Sequence, residues 1–69
     1  MKKYTVIIEK TESGYSAYVP DLPGCITVGE SIDQIKQHIK EAIELYIEEL
    51  ESEGKNIPEP NTLSEIISV

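Results

Sequence analysis

At 69 residues, with a formal net charge of −7 and only six basic side chains, the chain has room for one small domain and the wrong charge to hold a nucleic-acid backbone by itself. A single cysteine excludes an internal disulfide, and Cys25 with the one histidine, His38, falls short of a zinc ligand set. A domain this short buries only about 60% of the surface its unfolded chain exposes, so a homo-oligomer, a dimer or larger, is the expected support.

The N-terminal MKKYTVIIEK has two lysines and an apolar run too short for a signal-peptide core. No apolar segment approaches the ~20 residues of a membrane span, so a cytoplasmic protein with no membrane partner is expected. Residues 3–10 alternate as a strand, with Tyr4, Val6 and Ile8 on one face and Thr5, Ile7 and Glu9 on the other. Thr11-Glu12-Ser13-Gly14 reads as a hairpin connection, and Tyr15 to Val19 as the returning strand. The next stretch, VPDLPGC, sets Pro20, Pro23 and Gly24 around Asp21 and Leu22. Each proline disfavours helix at the residue before it and lacks an amide donor, and Gly24 can take a positive-φ corner. This is a rigid turn, with Asp21-Leu22 expected at its exposed tip, before CITVG resumes as a third strand.

Ser31 is a good helix N-cap, with Gln34 placed to complete a capping box. Ile32, Ile35, Ile39, Ala42, Ile43, Tyr46, Ile47 and Leu50 recur at helical spacing, and Gly54 with Pro58 marks the stop. A proline-punctuated connection over 55–62 leads to Leu63–Val69, which suits a short final strand. The expected fold is α+β in the order β-β-β-α-β over a single domain, 1–69. It is an antiparallel three-stranded meander with a fourth strand parallel to the first and one long helix on one face.

Three groups of residues invite a chemical reading. Cys25 as a nucleophile needs a base and a group that lowers its pKa. His38 lies on the helix, off the apolar stripe, and nothing in the sequence brings the two together. Cys25 therefore reads as a small apolar strand residue and His38 as a solvated helix residue. Asp21, Glu30 and Asp33 could be imagined around magnesium, but acids are favoured at turns and in first helical turns anyway. No phosphate-cradling glycine loop or nucleophile elbow is present. No catalytic residue, metal or cofactor is expected.

The third group is more informative. Glu41, Glu44, Glu48, Glu49, Glu51 and Glu53 crowd toward the helix C-terminus, where the macrodipole disfavours negative charge. The plain reading is a solvated face. The other is a docking surface for a basic protein that relieves the repulsion. Tyr15 and Tyr18 fall on opposite faces of the second strand, and a single helix leaves one of those faces open to a partner.

The run GYSAYVPDLPGCITVGES, Gly14 to Ser31, followed by KEAIELYIEELESEGKNIPEP, resembles the HicB family of antitoxins over nearly the whole chain. The resemblance rests on Ala17, on Pro20 to Cys25, on Gly29 and Ser31, and on Pro58-Glu59-Pro60. It departs from the family at Ile35 and Lys36, where an acid and an alanine are frequent. The resemblance implies a partial ribonuclease-H-like domain without that superfamily's four-carboxylate set. It also implies a non-catalytic inhibitor that masks a small, basic, mRNA-cleaving ribonuclease of the HicA type. Family members that repress their own operon carry a C-terminal DNA-binding domain, and none is recognisable before Val69, so direct nucleic-acid binding is not expected of this chain alone. The expected toxin contacts are Tyr18, Asp21, Leu22, Glu44, Glu48 and Glu51. The alternative is a stand-alone protein-binding module of the same fold.

Overall fold

A computed structural model describes residues 2–69. It contains strands β1 (Ile7–Thr11), β2 (Gly14–Tyr18) and β3 (Ile26–Gly29), then one helix, α1 (Ile32–Ser52). The strands form an antiparallel sheet in the order β1-β2-β3. Alternation along β2 sends Tyr15 and Ala17 to the helix side, where Val19 follows them. The residues between them, Ser16 and Tyr18, face away. The core is Ala17, Val19, Leu22, Cys25, Ile35 and Ile39, with Tyr4, Val6, Tyr15, Ala42, Ile43 and Tyr46 packed around it.

The β1–β2 hairpin closes on the pair Thr11–Gly14, with Glu12-Ser13 as its two-residue connection. Gly14 has a φ of 156°, and a Cβ on it would collide with the carbonyl oxygen of Gly29. Gly14 is thus required by a close approach between β2 and the end of β3 as well as by its backbone angle. Gly14→Ala is expected to cost about 1–3 kcal/mol, the range for overpacking a tight site. Urea unfolding followed by circular dichroism would measure the loss as a lower midpoint at an unchanged slope.

Helix α1 is capped as its sequence specifies. The Gln34 amide donates to Ser31 Oγ at 3.1 Å, while Gln34 Oε1 accepts from the Glu30 amide at 2.7 Å. The capping pair is therefore reciprocal, with the return bond shifted one residue upstream of the cap. At the other end the Gly54 amide bonds the Glu51 carbonyl and the Lys55 amide bonds the Leu50 carbonyl, the pattern of a Schellman motif. The helix packs over β2 and β3 with Ile35 and Ile39 buried.

Two expectations about the sheet are corrected. The first strand starts at Ile7, not Lys3, and the expected fourth strand at Leu63–Val69 does not form. Instead the chain after α1 runs beside the N-terminal residues and is held by side chains. Tyr4 Oη donates to the Pro58 carbonyl at 2.6 Å, Thr5 Oγ1 donates to the Thr62 carbonyl at 2.6 Å, and Lys2 Nζ meets Glu59 at 2.7 Å. Pro58 and Pro60 have no amide hydrogen to give, which removes donors a ladder would need. Burial pushes the Tyr4 hydroxyl pKa up, and the hydrogen bond to Glu59 pushes the Lys2 ammonium up.

Candidate interaction site

The VPDLPGC turn folds inward. The Leu22 amide donates to the Val19 carbonyl at 3.0 Å, the Cys25 amide to the Leu22 carbonyl at 3.0 Å, and the Val19 amide to the Cys25 carbonyl at 3.1 Å. The second of these turns holds Pro23 and Gly24 at its centre, with Gly24 at φ 83°, as a type II turn requires. Tyr46 Oη on α1 donates to the Pro23 carbonyl at 2.8 Å and ties the turn to the helix.

The turn does not present Leu22 to a partner. Leu22 is 0% exposed and is among the largest fully buried side chains of the core. Val19 N–H and Cys25 C=O close the base of the loop, and of the two residues between the prolines it is Leu22 that is directed inside. Asp21 is half-buried and engaged as well. Its carboxylate accepts from the Thr62 amide at 3.0 Å and from Thr62 Oγ1 at 2.9 Å. Asp21 therefore clamps the chain at the point where the tail leaves the domain. Asp21→Ala removes both bonds, and hydrogen bonds to a charged group contribute about 1.5–3 kcal/mol. The expected result is a large local loss of amide-exchange protection at Thr62, with the amides of β2 and β3 losing much less.

Cys25 is 5% exposed, and burial pushes its thiol pKa up, the reverse of what a nucleophile needs. His38 departs from its expected solvated role. It is half-buried, and its Nδ1 lies 2.8 Å from the Val28 carbonyl, so this nitrogen carries the proton and pins α1 to β3. Among the described residues no group of three His, Cys, Asp or Glu side chains is placed to hold a metal ion.

Two surfaces remain for a partner. Glu44, Glu48 and Glu51 recur at four- and three-residue spacing, which places them on one stripe of α1, and all three are exposed. The last turn of the helix holds no basic residue, and just beyond it Lys55 pairs with Glu53 at 3.0 Å. The second surface is the sheet face opposite the helix. There Tyr18, 39% exposed, stands between its cross-strand neighbours Ile7 and Ile26. Ile26 and Val28 are 63% and 67% exposed, and this apolar pair was not singled out from the sequence. The alternation of β3 carried the signal, since Thr27 takes the inward position and leaves both β-branched apolar residues outside. Tyr18 and the glutamate stripe thus lie on opposite sides of the domain and do not form one patch.

An acidic α+β domain, with a glutamate stripe on its helix and an open apolar sheet face, is a module with surfaces suited to docking another protein. The comparisons with known proteins are specific about which kind. Residues 4–69 match the family model described as a HicB-like antitoxin of bacterial toxin–antitoxin systems, and the chain belongs to that family. It is similar in structure to a chain of a HicA3 and HicB3 toxin–antitoxin complex, with a TM-score of 0.74 and 36% identity, over 86% of this chain and 69% of that one. A UPF0150 protein of Thermoplasma acidophilum is 50% identical over 86% of this chain and 87% of its own length. A UPF0150 protein of Synechocystis is 40% identical over 96% of this chain and 85% of its own. Among the described residues no helix is long and apolar enough to cross a membrane.

Proposed function

We propose that this antitoxin neutralises a small, basic, HicA-like mRNA-cleaving ribonuclease by direct protein–protein contact, without catalysis of its own, in the cytoplasm. The observation that carries the reading is the exposed Glu44–Glu48–Glu51 stripe, which runs along the second half of α1 and puts Glu51 in its last turn, where the dipole disfavours acids. Charge placed against local stability is compensated when a cationic surface covers it, and complementary potentials also speed the encounter. The same charge argues against direct nucleic-acid binding by this chain. Tyr18, on the opposite side, is proposed as a separate contact, whereas the Asp21 carboxylate is occupied by Thr62. Titrating the protein into a HicA-like ribonuclease should abolish RNA cleavage at a stoichiometric ratio. Unchanged cleavage at saturating antitoxin would overturn the reading for that pair.

A further inference from the structure

β3 is the last strand of the sheet, and among the described residues no further strand covers its outer edge. The direction of its backbone groups follows from one bond. The Val19 amide donates to the Cys25 carbonyl at 3.1 Å, so Cys25 turns its carbonyl toward the side of β2. Antiparallel pairs alternate between bonded and non-bonded. Thr27 therefore also points at its partner Ala17, while Ile26 and Val28 direct their N–H and C=O groups outward. The Val28 carbonyl is taken by His38 Nδ1 at 2.8 Å. That leaves a window of three groups: the N–H and C=O of Ile26 and the N–H of Val28.

The window lies between the two surfaces described above. On one side of it the Ile26 and Val28 side chains stand on the open sheet face, beside Tyr18. On the other side Leu45, 66% exposed, and Glu49 share an open cleft with Ile26. Glu41, one turn before Leu45, lies on the same flank of α1. We propose that an extended, cationic segment of the toxin pairs with β3 at Ile26 as an added strand. The proposal rests on the toxin reading and adds to it the strand by which the toxin is held. Side chains of an added strand alternate, so one set lies on Ile26 and Tyr18 and the next set against Leu45. The first set is apolar, and the second carries Lys or Arg toward Glu41 and Glu49.

Charge selects a cationic partner over a second copy of this chain. The flank of α1 beside the edge carries Glu41 and Glu49 and no lysine. The two lysines of the helix, Lys36 and Lys40, recur four residues apart on the opposite flank, where Lys40 lines the groove beside the N-terminal residues. Edge-to-edge pairing of two copies would bring two acidic flanks together, the arrangement by which sheet edges are kept apart.

Amide hydrogen exchange, read residue by residue on the full chain with and without a HicA-like ribonuclease, tests the proposal. In the free protein the Ile26 and Val28 amides should exchange fast and the Thr27 amide slowly. In the complex the first two should slow by about tenfold or more, while Ile8 and Lys10, whose amides face outward from β1, stay unchanged. Ile26→Pro removes an outward N–H and leaves the bonds to β2 in place. It should weaken the complex about tenfold, whereas Ile26→Val keeps the donor and stays within about twofold. If Ile26→Pro fails to fold, the exchange experiment decides by itself. Suppressed cleavage with both amides still unprotected would overturn the proposal and leave the toxin reading standing. Unsuppressed cleavage at saturation would overturn both. Protection that appears in the antitoxin alone and rises with its concentration would also overturn the proposal, by assigning the edge to a second copy.

Discussion

Leu22→Ala is expected to destabilise the domain by about 2–5 kcal/mol, the range for truncating a buried leucine without collapse of the site. Collapse is prevented here by the turn that carries the residue. Three backbone hydrogen bonds among Val19, Leu22 and Cys25 fix the loop, and Tyr46 Oη holds the Pro23 carbonyl. The surrounding wall cannot move in to fill the space without breaking one of them. At roughly 0.05–0.15 kcal/mol per residue a chain of this length has about 3–10 kcal/mol in total, so one substitution removes much of it. Urea unfolding should show a large fall in midpoint, and the protein should populate unfolded states near 37 °C. Ile47→Ala, at a half-buried position on α1, serves as the control and should cost less. A cost below about 1 kcal/mol at Leu22 would mean that the turn is not the closed core element described above.

Reversing the acidic stripe with Glu44→Lys/Glu48→Lys/Glu51→Lys should act in the opposite sense on the two measurable properties. Each reversal adds two positive units, so the formal net charge goes from −7 to −1. At about 1 kcal/mol per reversed charge against a cationic partner, toxin binding weakens on the order of a hundredfold. The salt dependence of association should also flatten, because steering by the stripe is lost. Stability should not fall in parallel. Glu51→Lys alone places a cation in a helix end that now has none, worth about 0.3–1 kcal/mol. That corresponds to a rise of roughly 2–6 °C in Tm for a domain of this size. Weaker binding with an equal or higher Tm separates a lost contact from a damaged fold. Unchanged suppression of RNA cleavage by the triple variant would assign the contact to another surface, with the Tyr18 face next in line.

The open sheet face and the turn show where residue patterns were readable and where they were not. Period-two alternation put Tyr15 and Tyr18 on opposite faces of β2, and the structure turns Tyr15, with Ala17 and Val19, toward the helix. The same rule, applied to Ile26-Thr27-Val28, specifies an exposed apolar pair, a pattern that is visible but runs against the habit of reading Ile and Val as core. Leu22 shows the opposite failure. A residue between two prolines in a turn is ordinarily on the surface, and only the closure of Val19 on Cys25 reverses it. His38 looked solvated because its helix position is off the stripe. Its partner, the Val28 carbonyl, belongs to a strand whose distance from the helix no local pattern states.

The sequence by itself determined the three-stranded meander, the long capped helix, the type II turn at Pro23-Gly24 and the acidic stripe. Each of these depends on backbone angles, caps or periodicities set within a few neighbouring residues. The fate of the last segment was decided only by tertiary structure. Leu63–Val69 has the composition of a strand, but a strand exists only where a neighbour offers amide and carbonyl groups in register. In this chain the place beside the N-terminal residues is already taken by the proline-bearing segment 58–62, held by Tyr4, Thr5 and Asp21. The tail is therefore directed outward, with Leu63, Ile66, Ile67 and Val69 exposed.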